Sequence, residues 1–252
     1  MYSITGLTRI QIDRIITMAR EYHNSVHPVS CPPSLGLRKG IVLTLAYLRK
    51  NRTQQELAAT FHTSQPTVSR TISALTPVLA AITATWTTTV EELHPKTPYV
   101  IDGTLLPCWS WRSRPELYSG KHHTTGVTIQ VACTLSGNLA WISPPSPGST
   151  HDLTALRASG LLETLPPETL IADKAYIGAG MITPIRKPPG HDLTDDRKQF
   201  NTRINQLRYI IERTIAQLKT WRILHTDYRR PYETFHQTIL AVIGLEYLKI
   251  YA

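Results

Sequence analysis

Three acidic residues stand apart from the others by their neighbours. Asp102 closes the apolar run Tyr99-Val100-Ile101 and precedes Gly103-Thr104; Asp173 closes Leu170-Ile171-Ala172 and precedes Lys174-Ala175-Tyr176; Glu212 lies within a long stretch of helical periodicity. An apolar run ended by a carboxylate reads as a buried strand with the acid at its C-terminal tip. Two such tips side by side, with a third carboxylate from a helix packed against them, make an all-oxygen site for Mg²⁺ or Mn²⁺. Such a site can hold two ions about 3.5–4 Å apart, one activating water or a 3′-hydroxyl and the other stabilising the leaving oxygen in an in-line attack on a phosphodiester. Asp152, after His151, is a possible fourth carboxylate and metal ligand. An Asp at a helix start also caps free amides and suits the dipole, and the cap is the stronger expectation.

The stretch around Glu212 gives a further check. Arg208, Glu212 and Lys219 are spaced by four and then seven, so a continuous helix projects all three from one face, with Asn201 and Asn205 on or near it. Ile204, Leu207, Ile211, Ile215 and Leu218 form the opposite, core-facing stripe. Alone, the polar side is an ordinary solvated face; its pairing with Asp102 and Asp173 makes catalysis the better account. Lys174 and Tyr176 either touch phosphate or frame the loop after Asp173. Trp109, Trp111, Arg112 and Arg114 interleave aromatic and basic groups, as in surfaces that stack on unpaired bases, although tryptophans are more often core. His122-His123 reads as a surface pair, and Trp221, Arg222, Arg229 and Arg230 can follow a DNA backbone.

These residues need elements to hold them. After residue 97 the texture is strand-like: Tyr99-Val100-Ile101, then 126–135, then 138–142 across Ser136-Gly137, a helix over 152–162, and a short strand at 170–172. A polar, Pro-rich loop leads to a long helix over about 195–221, which Asp195 and Asp196 are expected to cap, and a last apolar helix covers about 232–251. There is no internal repeat or low-complexity tract.

Before residue 90 the chain reads as nearly all helix. Leu7, Ile10, Ile15 and Met18 recur behind a Thr8/Gln11 capping box, a break follows at Cys31-Pro32-Pro33, and Leu35 to Lys50 forms a second helix. Thr53 to Glu56 is another capping box, opening a short helix that stops at His62-Thr63. Ser64 then caps a helix with Pro66 in its first turn, Val68, Ile72 and Leu75 inward, and Pro66, Thr67, Arg70 and Ser73 outward. Two short helices joined this way, the second displaying small polar groups and an Arg, suit a helix-turn-helix over about 53–76 that enters a major groove. Arg38, Lys39, Arg49, Lys50 and Arg52 are placed to hold phosphates.

The charge supports this. The chain has 252 residues and a net charge of +9. Residues 1–90 carry nine basic and three acidic residues, the remainder 18 and 15, so +6 of the excess lies in the first third. A basic, folded surface fits a nucleic-acid partner. The cysteines, Cys31, Cys108 and Cys133, form no CxxC pair and read as reduced, buried thiols. The sequence lacks a signal-like start and any run of roughly 20 apolar residues, so a cytoplasmic protein without a membrane partner is expected, nucleoid-associated if bacterial.

The segments YVIDGT (99–104), GSTHD (148–152), LIADKAYIG (170–178) and NQLRYIIERTIAQLK (205–219) resemble the DDE endonuclease domain of insertion-sequence transposases, in the IS5 and Harbinger-like branch. The 53–76 segment resembles the helix-turn-helix at the front of many bacterial transposases, and together the likeness spans about residues 35–250. It implies an α+β protein: an all-helical DNA-binding domain over 1–90, then an RNase H-like domain over 95–252 with a mixed sheet flanked by helices. By resemblance the acidic triad is Asp102, Asp173 and Glu212, on the first strand, the fourth strand and a following helix. The related helix signature has Tyr where this chain has Asn205, while Arg208, Glu212 and Lys219 match it. The resemblance implies a metal-dependent transposase acting on double-stranded DNA, both element terminal repeats and target, as a homo-oligomer assembled on DNA. The alternatives are a DNA-binding regulator with an idle second domain and a non-transposing RNase H-like nuclease.

Overall fold

A computed structural model describes residues 2–25, 35–109 and 113–251. The chain opens with helices α1 (Tyr2–Thr5), α2 (Arg9–Ser25), α3 (Gly36–Lys50), α4 (Gln54–Phe61) and α5 (Gln65–Thr83). Strands β1 (Tyr99–Pro107), β2 (Tyr118–Ser119), β3 (Thr124–Thr134), β4 (Leu139–Ile142) and β5 (Ser146–Pro147) follow, then α6 (Asp152–Ala158), α7 (Leu161–Thr164), β6 (Leu170–Ile171), α8 (Asp195–Leu218) and α9 (Phe235–Tyr251). These elements form two compact units, Met1–Thr87 with Leu218–Ala252, and Thr88–Gln217.

That division departs from the expected 1–90 and 95–252, because α9 belongs to the helical unit. Ile239, Ala241, Val242, Leu245, Tyr247 and Leu248 are all buried, so α9 is apolar nearly all round and needs partners on several sides. One is α5: Gly244 lies so close to Thr83 that any Cβ there would collide with its side chain. The apolar length of α5 serves this core, where Val68, Ile72, Leu75 and Leu79 are buried. At the other end of the unit, Thr8 and Gln11 exchange the bonds of a capping box that opens α2. Its inward stripe is Ile12, Ile15, Ile16 and Ala19, whereas Ile10, expected inside, is 76% exposed. Cys31 and its prolines lie outside the described residues, as do Trp111 and Arg112.

In the second unit the sheet order is β2-β3-β1-β6, with β4 and β5 also pairing with β3. Pairing is antiparallel for β1 with β3 and for β3 with β4, and parallel for β1 with β6. This mixed sheet, flanked by helices and preceded by a helical unit, is the expected α+β architecture. Tyr99, Ile101, Ala132 and Trp141 pack with Leu156 of α6 and Leu161 of α7 on one face. Helix α8 lies on the other side, where the Thr214 hydroxyl donates to the Gly137 carbonyl (3.1 Å). Ile204, Ile211 and Leu218 of its inward stripe are buried. Cys108 and Cys133 are both buried, as expected.

Candidate functional site

Strand β1 pairs in parallel with β6 at Tyr99–Leu170 and Val100–Ile171. Two steps further in that register, Asp102 comes level with Asp173. Asp102 is the fourth residue of a nine-residue strand rather than its tip, because β3 keeps pairing with β1 through Leu106 and Pro107. The apolar run ends at Asp102 while the hydrogen-bond ladder continues. Asp173 does lie beyond its strand, where its Oδ1 accepts from the Ala175 N–H (2.7 Å) and caps the turn Lys174–Tyr176.

Partial burial pushes the Asp102 carboxyl up to about 6, and the charge of Asp173 adds to this; the Arg208 guanidinium and the Gly103 N–H oppose it, and Asp152 raises it further. The Gly103 N–H donates to Asp102 Oδ1 at 2.9 Å. Arg208 stands 3.9 Å from Asp173 and 3.7 Å from Glu212, and its Nε is buried without a partner among the described residues. Glu212 itself is 56% exposed. Among the described residues no group of three Asp, Glu, His or Cys is close enough to hold a metal ion. What the fold brings together is the pair Asp102 and Asp173, with Glu212 linked to it through Arg208. A carboxylate pair whose mutual charge lifts a pKa suits a hard divalent cation, which would relieve the repulsion.

Asp152 reaches the strand from the opposite face. Alternation along β1 puts Gly103 opposite to Asp102, and a Cβ on Gly103 would lie 2.5 Å from Asp152 Oδ1 and 3.0 Å from Gln130 Nε2. Asp152 does not cap, contrary to expectation: it is the first residue of α6, His151 holds the cap position, and no side chain makes the cap bond. Its Oδ2 instead accepts from Lys121 Nζ (2.7 Å). Burial alone would lower the Lys121 pKa, but its bond to Asp152 and the charges of Asp152, Asp102 and Asp173 raise it. One ammonium therefore senses all three acids. Beneath them the fully buried Tyr176 donates to Gln130 Oε1 (2.6 Å), and Gln130 Nε2 has no partner among the described residues. Tyr176 is thus a strut under the site. Lys121, Gln130 and Gly103 escaped sequence reasoning; a lysine in a turn directly before a long strand was the available signal. Asp195 and Asp196 occupy the first turn of α8, one residue inside the expected cap, and Asp195 pairs with Lys198.

The reader helices take their expected form. Thr53 and Glu56 complete a capping box on α4, which ends at His62 in a left-handed conformation (φ 50°), and Ser64 caps α5. Arg70 and Ser73 are exposed, and so are Lys50 and Arg52. Thr67, expected outward, is buried, its hydroxyl 2.9 Å from that of Ser64. At the N3 position it faces back over the cap rather than into solvent. Arg49 is engaged inside the unit, donating to the Thr220 hydroxyl (2.6 Å) and lying over the Trp221 ring at 5.3 Å. Lys219 falls one residue beyond α8, because the helix ends at Leu218, so the shared face with Arg208 and Glu212 stops short of it.

The model of the family "DDE superfamily endonuclease" matches residues 101–246, and that of the helix-turn-helix of DDE superfamily endonucleases matches residues 33–84. A protein of Streptomyces albus G described as a transposase for insertion sequence element IS112 is 28% identical, over 98% of this chain and 93% of its own length. A protein of Microchaete diplosiphon described as a transposase for insertion sequence element IS702 is 26% identical, over 92% and 87%. No solved structure gives a significant match. The chain belongs to the DDE superfamily endonucleases.

Proposed function

We propose that this protein is a transposase that binds the ends of its element and cuts and joins DNA strands there in a reaction dependent on Mg²⁺ or Mn²⁺. The observation that carries this reading is the parallel register that seats Asp173 beside Asp102, where its charge makes the Asp102 carboxyl harder to ionise. DDE superfamily endonucleases generally use divalent metals. Asp102 and Asp173 would hold them, with Glu212 completing the triad and Asp152 available from the other face of β1. Two bound ions would activate the attacking water or 3′-hydroxyl and stabilise the leaving oxygen. The chain's own cations have separate work. Arg208, between Asp173 and Glu212, and Lys121, on Asp152, present guanidinium and ammonium donors to the phosphodiester as the acids engage metal. The Tyr176–Gln130 bond ties the Asp173 turn to β3, at the residue that pairs with Gly103 of β1. Arg70, Ser73, Lys50 and Arg52 face DNA from the helical unit, and copies of the chain assemble on the paired ends.

The test uses purified full-length protein and a labelled duplex carrying the DNA that flanks its own gene, with and without Mg²⁺. Wild type should cleave the strand at the element end, and Asp102→Asn and Asp173→Asn should bind equally well but leave the duplex intact. Binding without cleavage by wild type would favour the regulator. Cleavage of any duplex without joining would favour the plain nuclease.

A further inference from the structure

The helical unit contains a cavity of about 400 Å³ on the side of α4 and α5. Arg52, Gln54, Gln55, Gln65, Arg229 and Arg230 contribute to its wall. Among the described residues no carboxylate does. The nearest acid on α4, Glu56, is committed to the capping box, its Oε2 accepting from the N–H and hydroxyl of Thr53, each at 2.9 Å. Among the described residues no ion pair involves Arg52, Arg229 or Arg230.

Two of these arginines come from far along the chain, and the fold fixes them beside the reader helices. Asn51 Nδ2 donates to the Thr226 hydroxyl (2.7 Å) and the Asp227 carbonyl (3.2 Å), fastening the 226–230 loop to the turn before α4. Arg229 Nη2 donates to the Asn51 carbonyl (2.6 Å). Arg230 Nη2 donates to the hydroxyl of Ser73, on the exposed face of α5 (2.6 Å), while its Nη1 is covered and without a partner among the described residues. Three guanidinium groups around one cavity repel one another; the Glu56 charge, which feels Arg52 and Arg229, offsets this only in part, and an anion among the three would relieve the rest. Tyr47 adds a donor at the wall: burial holds its phenol above the ordinary value, against the pull of Arg230 and Arg229, so it stays protonated.

We propose that this notch binds a backbone phosphate of duplex DNA, so that the C-terminal segment supplies part of the grip of the DNA reader. The proposal rests on α4 and α5 being that reader. A phosphate here would lie beside Arg230, whose bond to Ser73 ties the notch to the exposed face of α5 and so to the register in which α5 meets the groove.

The test measures binding of the full-length chain to a labelled duplex of arbitrary sequence across a salt series, and to the duplex flanking its gene. Arg52→Gln, Arg229→Gln and Arg230→Gln should each weaken both complexes alike and flatten the slope of log affinity against log salt by about 0.9 per lost contact. Arg70→Ala should instead reduce the preference for the flanking duplex. Thermal unfolding screens the variants. Since Arg229 and Arg230 also make internal bonds, the exposed Arg52 decides if either destabilises the fold. Unchanged slopes in folded variants would overturn the notch while leaving the reader intact if Arg70→Ala still acts. Wild-type protein that ignores both duplexes would overturn the reader itself. Stabilisation by inorganic phosphate with an unchanged DNA slope would mark a small-anion site and also overturn the proposal.

Discussion

Glu246 in the helical unit and Asp102 in the sheet unit are both carboxylates withdrawn from water, in opposite surroundings. Glu246 is 2% exposed, and its Oε2 accepts from Trp221 Nε1 (2.6 Å) and Lys249 Nζ (2.7 Å). Lys249 also lies over the Trp221 ring at 5.5 Å. The charge is neutralised by its own unit, in the place where α9 locks against the turn after α8. Asp102 accepts from the Gly103 N–H and has Asp173 and Asp152 for company, with the Arg208 guanidinium opposing its rise and the Lys121 ammonium held on Asp152 rather than on Asp102 itself. A fold that needs a charge for stability satisfies it completely; a carboxylate left among like charges is placed for something from outside.

The sharpest way to break this comparison is to unbalance Glu246. Lys249→Met keeps the stem but leaves a buried charge without its ion partner, and should cost about 3–5 kcal/mol of stability, read by chemical unfolding. Glu246→Gln in the same background should recover part of it, since the amide oxygen still accepts from Trp221. A loss under about 1 kcal/mol would mean that the pair is no more than a surface ion pair.

Asp102 should behave in the opposite sense. Its native pKa is about 6 against an ordinary 3.8, so between those values the native state binds more protons than the unfolded chain, and stability falls as pH rises from about 4 to 6. At neutral pH the full cost is present, up to about 3 kcal/mol at 1.36 kcal/mol per unit. Asp102→Asn in EDTA should therefore unfold at a higher temperature than wild type at pH 7 and lose that advantage by about pH 4, while abolishing cleavage. A mutant no more stable than wild type at pH 7 would show that Asp102 is not electrostatically strained.

The two units also differ in how far they could be read from sequence. The caps at Thr8, Thr53 and Ser64 and the turn at His62 are local, set by residues three or four apart, so the starts of the reader helices and the turn between them were legible to within a residue, while α5 runs on to Thr83, beyond the expected end near 76, because its further length packs into the core of the unit. The positions of Asp102 and Asp173 came from the ends of apolar runs and that of Glu212 from helical periodicity, but the length of β1 depends on β3, whose pairing no local pattern reveals. Asp152 looked like a cap because a helix starts there. That Gly103 leaves room for it and Lys121 holds it depends on segments separated by tens of residues. Likewise α9 was found as a helix, but not its place, since an apolar helix does not name its partner.

Gly103→Ala tests the non-local half of this contrast. One methyl would press on Asp152 Oδ1 and Gln130 Nε2, and overpacking of this kind costs about 2 kcal/mol. The first residue to move should be Asp152, and with it Lys121. Cleavage should fall while binding of the duplex through the helical unit stays at the wild-type level. Equal cleavage would mean that the Asp152 face of β1 takes no part in the reaction.

The smallest effect is expected from Thr8→Ala, the local counterpart. Thr8 accepts from the Gln11 N–H (3.2 Å), and Gln11 Oε1 accepts from the Thr8 N–H (3.0 Å). Removing the hydroxyl leaves one first-turn donor of α2 to water and should cost about 1 kcal/mol. The loss stays inside the helical unit because each bond of the box joins residues three apart and touches nothing else. Unfolding should shift by that amount, with DNA affinity, its salt slope and cleavage all unchanged. A change in cleavage with this substitution would mean that a cap in one unit is coupled to the acids of the other, and the contrast between a self-satisfied helical unit and a strained sheet unit would have to be replaced by one cooperative whole.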